Sequence, residues 1–266
     1  MSLFKKNKYY KLSIIGAGNV GTHLAIVLES AGHAIREVYS RHINNAQALC
    51  EQLYEAEVKQ DLNFISSDAD IIILAVPDDK IKEVAEKLLV PANAILLHTS
   101  GSMPMEVLEK NNGAWGVIYP LQTFSKHKPV NFQEIPILVE GSDHETQKTI
   151  LRLSQSISKR VEVMSSTQRA VLHVSAVFAC NFTNHMISVA EDLAGSYHIN
   201  FELLKPLIAE TINKSLSAGP KFAQTGPAIR GDIATLERQE AFLKKKDNQL
   251  AKIYRLLSKS IMNMHS

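Results

Sequence analysis

From Lys11 to about Val163 the apolar positions alternate between two patterns. Short unbroken runs have the composition of strands. Lys11-Leu12-Ser13-Ile14-Ile15 is one, and Asp70-Ile71-Ile72-Ile73-Leu74-Ala75-Val76 reads as a central parallel strand covered on both faces. Between such runs lie stripes of helical period: Val20, Leu24, Val27, Leu28 and Ala31 on one, Ile81, Val84, Ala85 and Leu88 on another. Gly32 stops the first helix, and Pro77-Asp78-Asp79 ends the apolar run and opens the next helix. Further strands are predicted over 34–40, 94–97, 115–119 and 135–139, with a helix over 44–55. Ser142-Asp143-His144-Glu145 matches a capping box ahead of a helix carrying Ile150, Leu151 and Leu153. Repeated alternation of this kind implies an α/β domain built on a doubly wound parallel sheet.

The pattern changes near Met164-Ser165-Ser166, and everything beyond reads as helix. A long helix is expected over 167–197 and a short turn capped by Asn200. Pro206 begins another helix, Asp232 caps one after the loop 219–231, and a final helix covers 248–262. The predicted organisation is therefore an α/β domain, 1–164, followed by an all-helical C-terminal domain, 165–266. Ligand belongs at the carboxyl ends of the strands, in the cleft between the domains.

Composition is that of an ordinary globular chain: 266 residues, 45% hydrophobic and 21% charged. A net charge of +2 argues for neither nucleic acid nor an anionic membrane, and Lys244-Lys245-Lys246 reads as a solvated helix face. Cys50 and Cys180 show neither metal spacing nor a disulfide framework, so no metal site is expected and a reducing, cytoplasmic setting is. Met1 to Tyr10 carries lysines without a following apolar segment, and no apolar run approaches membrane length; neither export nor an anchor is expected.

Between the first strand and the first helix stands Gly16-Ala17-Gly18-Asn19-Val20-Gly21. A G-x-G-x-x-G in this setting is a dinucleotide fingerprint. Gly16 permits the tight turn, Gly18 lets backbone amides approach a pyrophosphate, and Gly21 lets the helix pack close to the strand. The helix N-terminus adds unpaired N–H groups and a positive dipole end. About 20 positions beyond the glycines, an acidic residue would bind a ribose 2′-hydroxyl and an arginine would suit a 2′-phosphate. Ser40-Arg41-His42 stands there without a carboxylate, and Glu37 lies too far back in its strand. The expected cofactor is NADP(H), with Arg41 pairing to phosphate.

Together with Ala75-Val76-Pro77-Asp78 and the helical second domain, these motifs resemble the 6-phosphogluconate-dehydrogenase-like oxidoreductases, a group that includes pyrroline-5-carboxylate, ketopantoate and F420-dependent NADP reductases. More narrowly, four stretches resemble a branch that joins a Rossmann-like domain to a C-terminal domain of unknown function. They are His98-Thr99-Ser100-Gly101, Tyr119-Pro120-Leu121-Gln122-Thr123-Phe124, His173 with Asn181, and Thr225-Gly226-Pro227-Ala228-Ile229-Arg230-Gly231-Asp232. The resemblance implies that the amides of Gly16, Gly18, Asn19, Val20 and Gly21 hold the pyrophosphate, with Ser40 and Arg41 on the 2′-phosphate. Val76, Pro77 and Asp78 would flank the cofactor, and His98, Thr99 and Ser100 would lie near the nicotinamide. It also implies a homodimer through the helical domain. Relatives that reduce carbonyls place a lysine one helical turn before an asparagine on the first long helix; one turn before Asn181 this chain has Val177.

Hydride delivery to a carbonyl builds negative charge on oxygen, so a proton donor or hydrogen-bond donor is needed there. His173 and Asn181 are the candidates. At about 100° per residue, Asn181 falls roughly 80° around the helix from His173, and Asn184 only about 20° from it. The same polar groups on a long helix also suit bridging to neighbouring backbone or a dimer partner. Two readings stand for Arg230: a clamp for a substrate carboxylate, or a partner of Asp232 that holds its turn. His98 reads as a structural histidine or a modest site candidate, and Trp115 and Tyr119 as core. The leading expectation is an NADP(H)-dependent oxidoreductase acting on a small carbonyl or imine, a 2-oxo acid among the candidates, with Asn181, His173 and Arg230 at the substrate. The rival is a non-catalytic NADP-binding sensor or assembly protein that retains the fold.

Overall fold

The structure is a computed structural model and describes residues 9–110, 113–125 and 128–265; the N-terminal lysines at 5, 6 and 8 lie outside the described residues. The chain divides into two compact units, Met1–Thr183 and Asn184–Ser266.

The first unit is an eight-stranded sheet flanked by helices. Its elements are β1 Lys11–Ile15, α1 Asn19–Ser30, β2 Ala34–Tyr39, α2 Ile43–Cys50, β3 Glu57–Lys59, β4 Ile71–Leu74, α3 Asp78–Lys87, β5 Ile95–His98, β6 Ala114–Pro120, β7 Ile137–Gly141, α4 His144–Gln155, β8 Val161–Val163 and α5 Ser166–Ala176. A π-helical turn, Val177–Phe182, continues α5 directly into α6, Thr183–Gly195. Strand order is β3-β2-β1-β4-β5-β6-β7-β8. The chain leaves β1 toward β2 on one side and returns as β4 on the other, so the topological switch point lies between β1 and β4.

The sheet is parallel except at one seam. β6 and β7 pair antiparallel, so β7 and its parallel neighbour β8 run opposite to the first six strands. A parallel return from β6 would need a crossover, and among the described residues the connection 121–136 contains only a 3-10 turn at Phe132–Glu134. The uniformly parallel sheet expected from the pattern is corrected to that extent.

β4 shows why an unbroken apolar run makes a central strand. Ile71 and Ile73 pack into one core cluster with Leu24 and Leu28 of α1 and Ile150 and Leu153 of α4. Ile72 and Leu74 point the other way, into a second cluster with Ile81 and Ala85 of α3. The cap of α4 differs from the capping box read in the sequence. Asp143 is the N-cap and accepts from the Glu145 and Thr146 amides at 2.9 and 3.0 Å, while Ser142 Oγ accepts from the Trp115 amide. Asp143 gains over Ser142 because a carboxylate at an N-cap makes charge-assisted bonds.

The second unit is helical: most of α6, then α7 Lys205–Ala218, α8 Pro220–Ala223, α9 Ile233–Lys246 and α10 Asn248–His265. Asn200 accepts from the Glu202 amide in the turn before α7, and Asp232 accepts from the Thr235 amide at the start of α9. No helix among the described residues is long and apolar enough to cross a membrane. Among the described residues no His, Cys, Asp or Glu cluster is placed to hold a metal.

Candidate functional site

β1, β4 and β5 end level with one another, Ile15 beside Leu74 and Leu74 beside His98. Three loops therefore emerge together at the carboxyl edge of the sheet, on either side of the switch point. They are the glycine turn after β1, Ala75-Val76-Pro77 after β4, and Thr99-Ser100-Gly101 after β5.

The glycine turn is built by close approach. Gly16 has φ +108° and donates its N–H to the Tyr39 carbonyl at 2.7 Å; a Cβ there would sit 2.3 Å from the Ala75 carbonyl oxygen. A Cβ on Gly21 would lie 1.9 Å from the Gly16 oxygen, so α1 packs directly on the turn. Gly18 is the N-cap and supplies no side-chain cap, and no acidic residue stands in the first turn of α1. Space beside Gly18 is open. The first-turn N–H groups and the dipole of α1 are thus presented without an internal anion to satisfy them, as an incoming phosphate requires. The residues present fit a dinucleotide.

A groove of about 490 Å³ runs from this turn along the β2 tip, walled by Gly16 and Gly18, Ser40 and Arg41, and Val76 and Pro77. Arg41 is exposed there, with its guanidinium 3.3 Å from His42 Nε2. Lys80 and Lys87 also line the groove, and both pair with Glu83, at 3.5 and 2.8 Å. Glu37 is turned away: its carboxylate accepts from the Ser13 and Ser67 hydroxyls. Five expected cofactor residues lie off this groove, Gly21 in the first turn of α1 among them. Asn19 donates its side-chain amide to the Phe124 carbonyl at 3.0 Å, and Val20 packs on the core. Asp78 accepts from Ser102 Oγ, and Ser100 is buried, its hydroxyl accepting from the amides of Ser102 and Met103.

Beyond β5 a polar cluster assembles that the sequence pattern did not foretell. Tyr119, at the end of β6, and His173, on α5, share a 3.0 Å hydrogen bond between Oη and Nδ1, and their rings meet edge to face. Burial pushes the Tyr119 hydroxyl pKa upward, with the Asp78 charge adding to it, so the phenol stays protonated. Gly101 lies against both: a Cβ there would be 2.7 Å from His173 Nδ1 and 2.7 Å from Tyr119 Cζ. His98 is fully buried, and its Nδ1 accepts from the Ser100 amide at 3.1 Å. Burial pushes its pKa down to about 4, and the neighbouring Arg169 charge acts in the same direction. Arg169, unnoticed in the sequence, is the only buried residue of α5. Its sole advance signal was a charged side chain four residues before His173, and a helix period cannot mark such a residue as buried.

Asn181 is exposed and lies in the π turn. A π turn takes up one extra residue, about 100° of phase at the α-helical pitch, so Asn181 swings from roughly 80° off the direction of His173 to within about 20° of it. The better alignment of Asn184 with His173 rested on a uniform pitch that this segment lacks. Arg230 is exposed in the second unit. Asp232 there caps α9 and, among the described residues, forms no ion pair with Arg230; hydrogen bonds from Thr235 hold its carboxyl pKa below the usual value. The Arg230 charge helps lower the Asp232 pKa, so both readings of Arg230 stand.

Comparison with known proteins agrees with this geometry. Residues 11–99 match the family described as NADP oxidoreductase, coenzyme F420-dependent, and residues 135–261 match a domain of unknown function. The crystal structure of a candidate NADP oxidoreductase from Bacteroides fragilis is 38% identical, covers 96% of this chain and 98% of its own, and superposes with a TM-score of 0.85. A reductive aminase from Aspergillus terreus, solved with NADPH and ethyl-5-oxohexanoate, shares the fold at 17% identity, with 97% and 95% of the two chains covered and a TM-score of 0.70. The glycerol-3-phosphate dehydrogenase [NAD(P)+] of Streptococcus equi subsp. zooepidemicus is 28% identical over 156 residues, 53% of this chain and 43% of that protein. The chain thus spans less than half of that dehydrogenase, and about a quarter of the one from Prosthecochloris aestuarii. With a glycine turn, a switch-point groove and a full-length relative in agreement, the chain belongs to the family of NADP oxidoreductases that join a Rossmann nucleotide-binding domain to this C-terminal domain of unknown function.

Proposed function

We propose that this protein is an NADPH-dependent reductase of a small carbonyl or imine compound. The observation that carries the cofactor choice is the β2 tip, where Ser40 and Arg41 line the groove and the nearest strand carboxylate, Glu37, is bound to serine hydroxyls elsewhere. The first-turn amides of α1 would hold the pyrophosphate, Ser40 and Arg41 the 2′-phosphate, and Val76 and Pro77 the cofactor's flank. When bound, the reduced nicotinamide supplies the hydride. Reduction leaves charge on oxygen or nitrogen that a proton must neutralise. Tyr119 keeps a protonated phenol on His173 Nδ1, and His173 in turn can hold a proton on its other nitrogen. Asn181, swung toward the same helix face, adds an uncharged hydrogen-bond donor. A 2-oxo acid is a candidate acceptor.

The test is titration of the pure protein with NADPH and NADH, then NADPH oxidation with 2-oxo acids and cyclic imines. NADPH bound more tightly than NADH, with turnover of a panel member, is expected. Equal affinity for both nucleotides would refute the reading of Arg41. Tight NADPH binding with no turnover would favour the rival sensor.

We also propose that two copies pair through the helical unit. None of the 14 residues of α7 is buried, while Leu207 and Leu216 on α7 and Phe222 on α8 are 62%, 83% and 87% exposed. A helix of that length gains most of its stability from packing an apolar face, so the pattern calls for a cover. A monomeric mass in light scattering at micromolar concentration would refute the pairing.

A further inference from the structure

We propose that Arg169 is a positioning residue of the reaction site: its guanidinium clamps the Ser100–Met103 turn, and that turn, through the bare backbone of Gly101, holds Tyr119 and His173 in hydrogen-bonding register. The proposal rests on the reading that Tyr119 and His173 face the acceptor.

Arg169 is 1% exposed, and an arginine charge so deeply buried persists only where it is paired and hydrogen-bonded. Nη1 donates to Glu140 Oε2 at 2.6 Å, which neutralises the charge. Two of the other three bonds go to the backbone of one turn. Nε donates to the Ser100 carbonyl at 3.1 Å and Nη2 to the Met103 carbonyl at 2.6 Å, with Ser166 Oγ 3.2 Å from Nη2. A carboxylate partner alone could be met by lysine. Spanning two carbonyls on one turn while also pairing with a carboxylate takes the planar fork of arginine.

The clamped turn is further fixed from within. Ser100 Oγ accepts from two amides, and His98 Nδ1 accepts from the Ser100 amide. Gly101 sits inside the clamped span. The hypothetical Cβ contacts of 2.7 Å show how closely its backbone approaches both rings, so the position of the turn decides whether Tyr119 and His173 fit beside it. His173 also lies one helical turn after Arg169 on α5. One guanidinium therefore ties the loop to the helix that carries the histidine. Glu140 completes the junction by accepting from the amide and hydroxyl of Ser166, at the start of that helix.

The experiment uses the full chain labelled with 15N at histidine and no added nucleotide, so its result stands apart from cofactor binding. The Nδ1 signals of His173 and His98 are compared in the wild type, in Arg169→Lys, and in the double variant Arg169→Met/Glu140→Gln, which removes both charges and leaves none unpaired. Tyr119→Phe supplies the reference for an unbonded His173 Nδ1. Both clamp variants are expected to move the His173 signal to the Tyr119→Phe position. A folded Arg169→Lys protein that keeps the wild-type His173 signal would overturn the proposal, because Arg169 would then be only a charge partner for Glu140. If lysine prevents folding, the double variant decides by the same signal. Absence of NADPH binding by the wild type, measured separately, would remove the reductase reading and leave the clamp result untouched.

Discussion

His98 makes stability in the first unit depend on pH in a calculable way. Its imidazole is fully buried, and its native pKa is about 4, against about 6.5 in an unfolded chain. The folded pKa is depressed, so below pH 6.5 the unfolded state takes up a proton that the native state refuses. The contribution of His98 is therefore complete above about pH 6.5 and is lost progressively as pH falls toward 4. Near pH 5 the unfolded chain binds about one more proton at this residue, and linkage gives a loss of about 2 kcal/mol between pH 7 and pH 5. His98→Asn removes the titration while leaving a carbonyl that can accept from the Ser100 amide. The assay is urea unfolding at both pH values, followed by the fluorescence of Trp115, the single tryptophan, which lies on β6 in the same unit. The wild type should lose about 2 kcal/mol more than the variant over this interval. Other groups titrate in both proteins and cancel in the difference. Equal losses would refute the reasoning, since His98 would then be protonated alike in both states.

Three further outcomes follow from the site. Arg41→Ala should weaken NADPH about tenfold, the low end for a charge-assisted contact because the side chain is exposed, and leave NADH unchanged; nucleotide fluorescence titration reads both. Gly101→Ala forces a methyl group between Tyr119 and His173 and should cost about 1–3 kcal/mol in unfolding free energy while displacing their hydrogen bond; unchanged stability with an intact His173 Nδ1 signal would show that the contact is loose. Asn181→Ala should abolish turnover and spare NADPH affinity, and unchanged turnover would remove Asn181 from the site.

Much of the first unit was legible because its signals are local. The unbroken run at Ile71–Leu74 marks a strand buried on both faces, and the glycine turn carries its geometry in three residues without side chains. β3 escaped notice because its three residues, Glu57-Val58-Lys59, form a short edge with no apolar run. The π turn escaped because nothing in the sequence Val177–Phe182 distinguishes a turn closed by one extra residue from an α-helical one, yet that residue decides which asparagine shares the face of His173.

What the sequence determined by itself was therefore the order of landmarks along the sheet: a glycine turn after β1, a tip after β2 that carries Ser40-Arg41 and no carboxylate, and helices beyond Met164. Those rest on hydrophobic period, glycine conformation and turn residues, which act over a few positions. Tertiary structure alone decided the reversed strand β7, the burial of Arg169 and the meeting of Tyr119 with His173. Arg169 reaches Ser100 across 69 positions of chain and Tyr119 reaches His173 across 54. Such contacts exist only once the strands have closed the loops between them, and no local pattern encodes which polar side chain will be left inside.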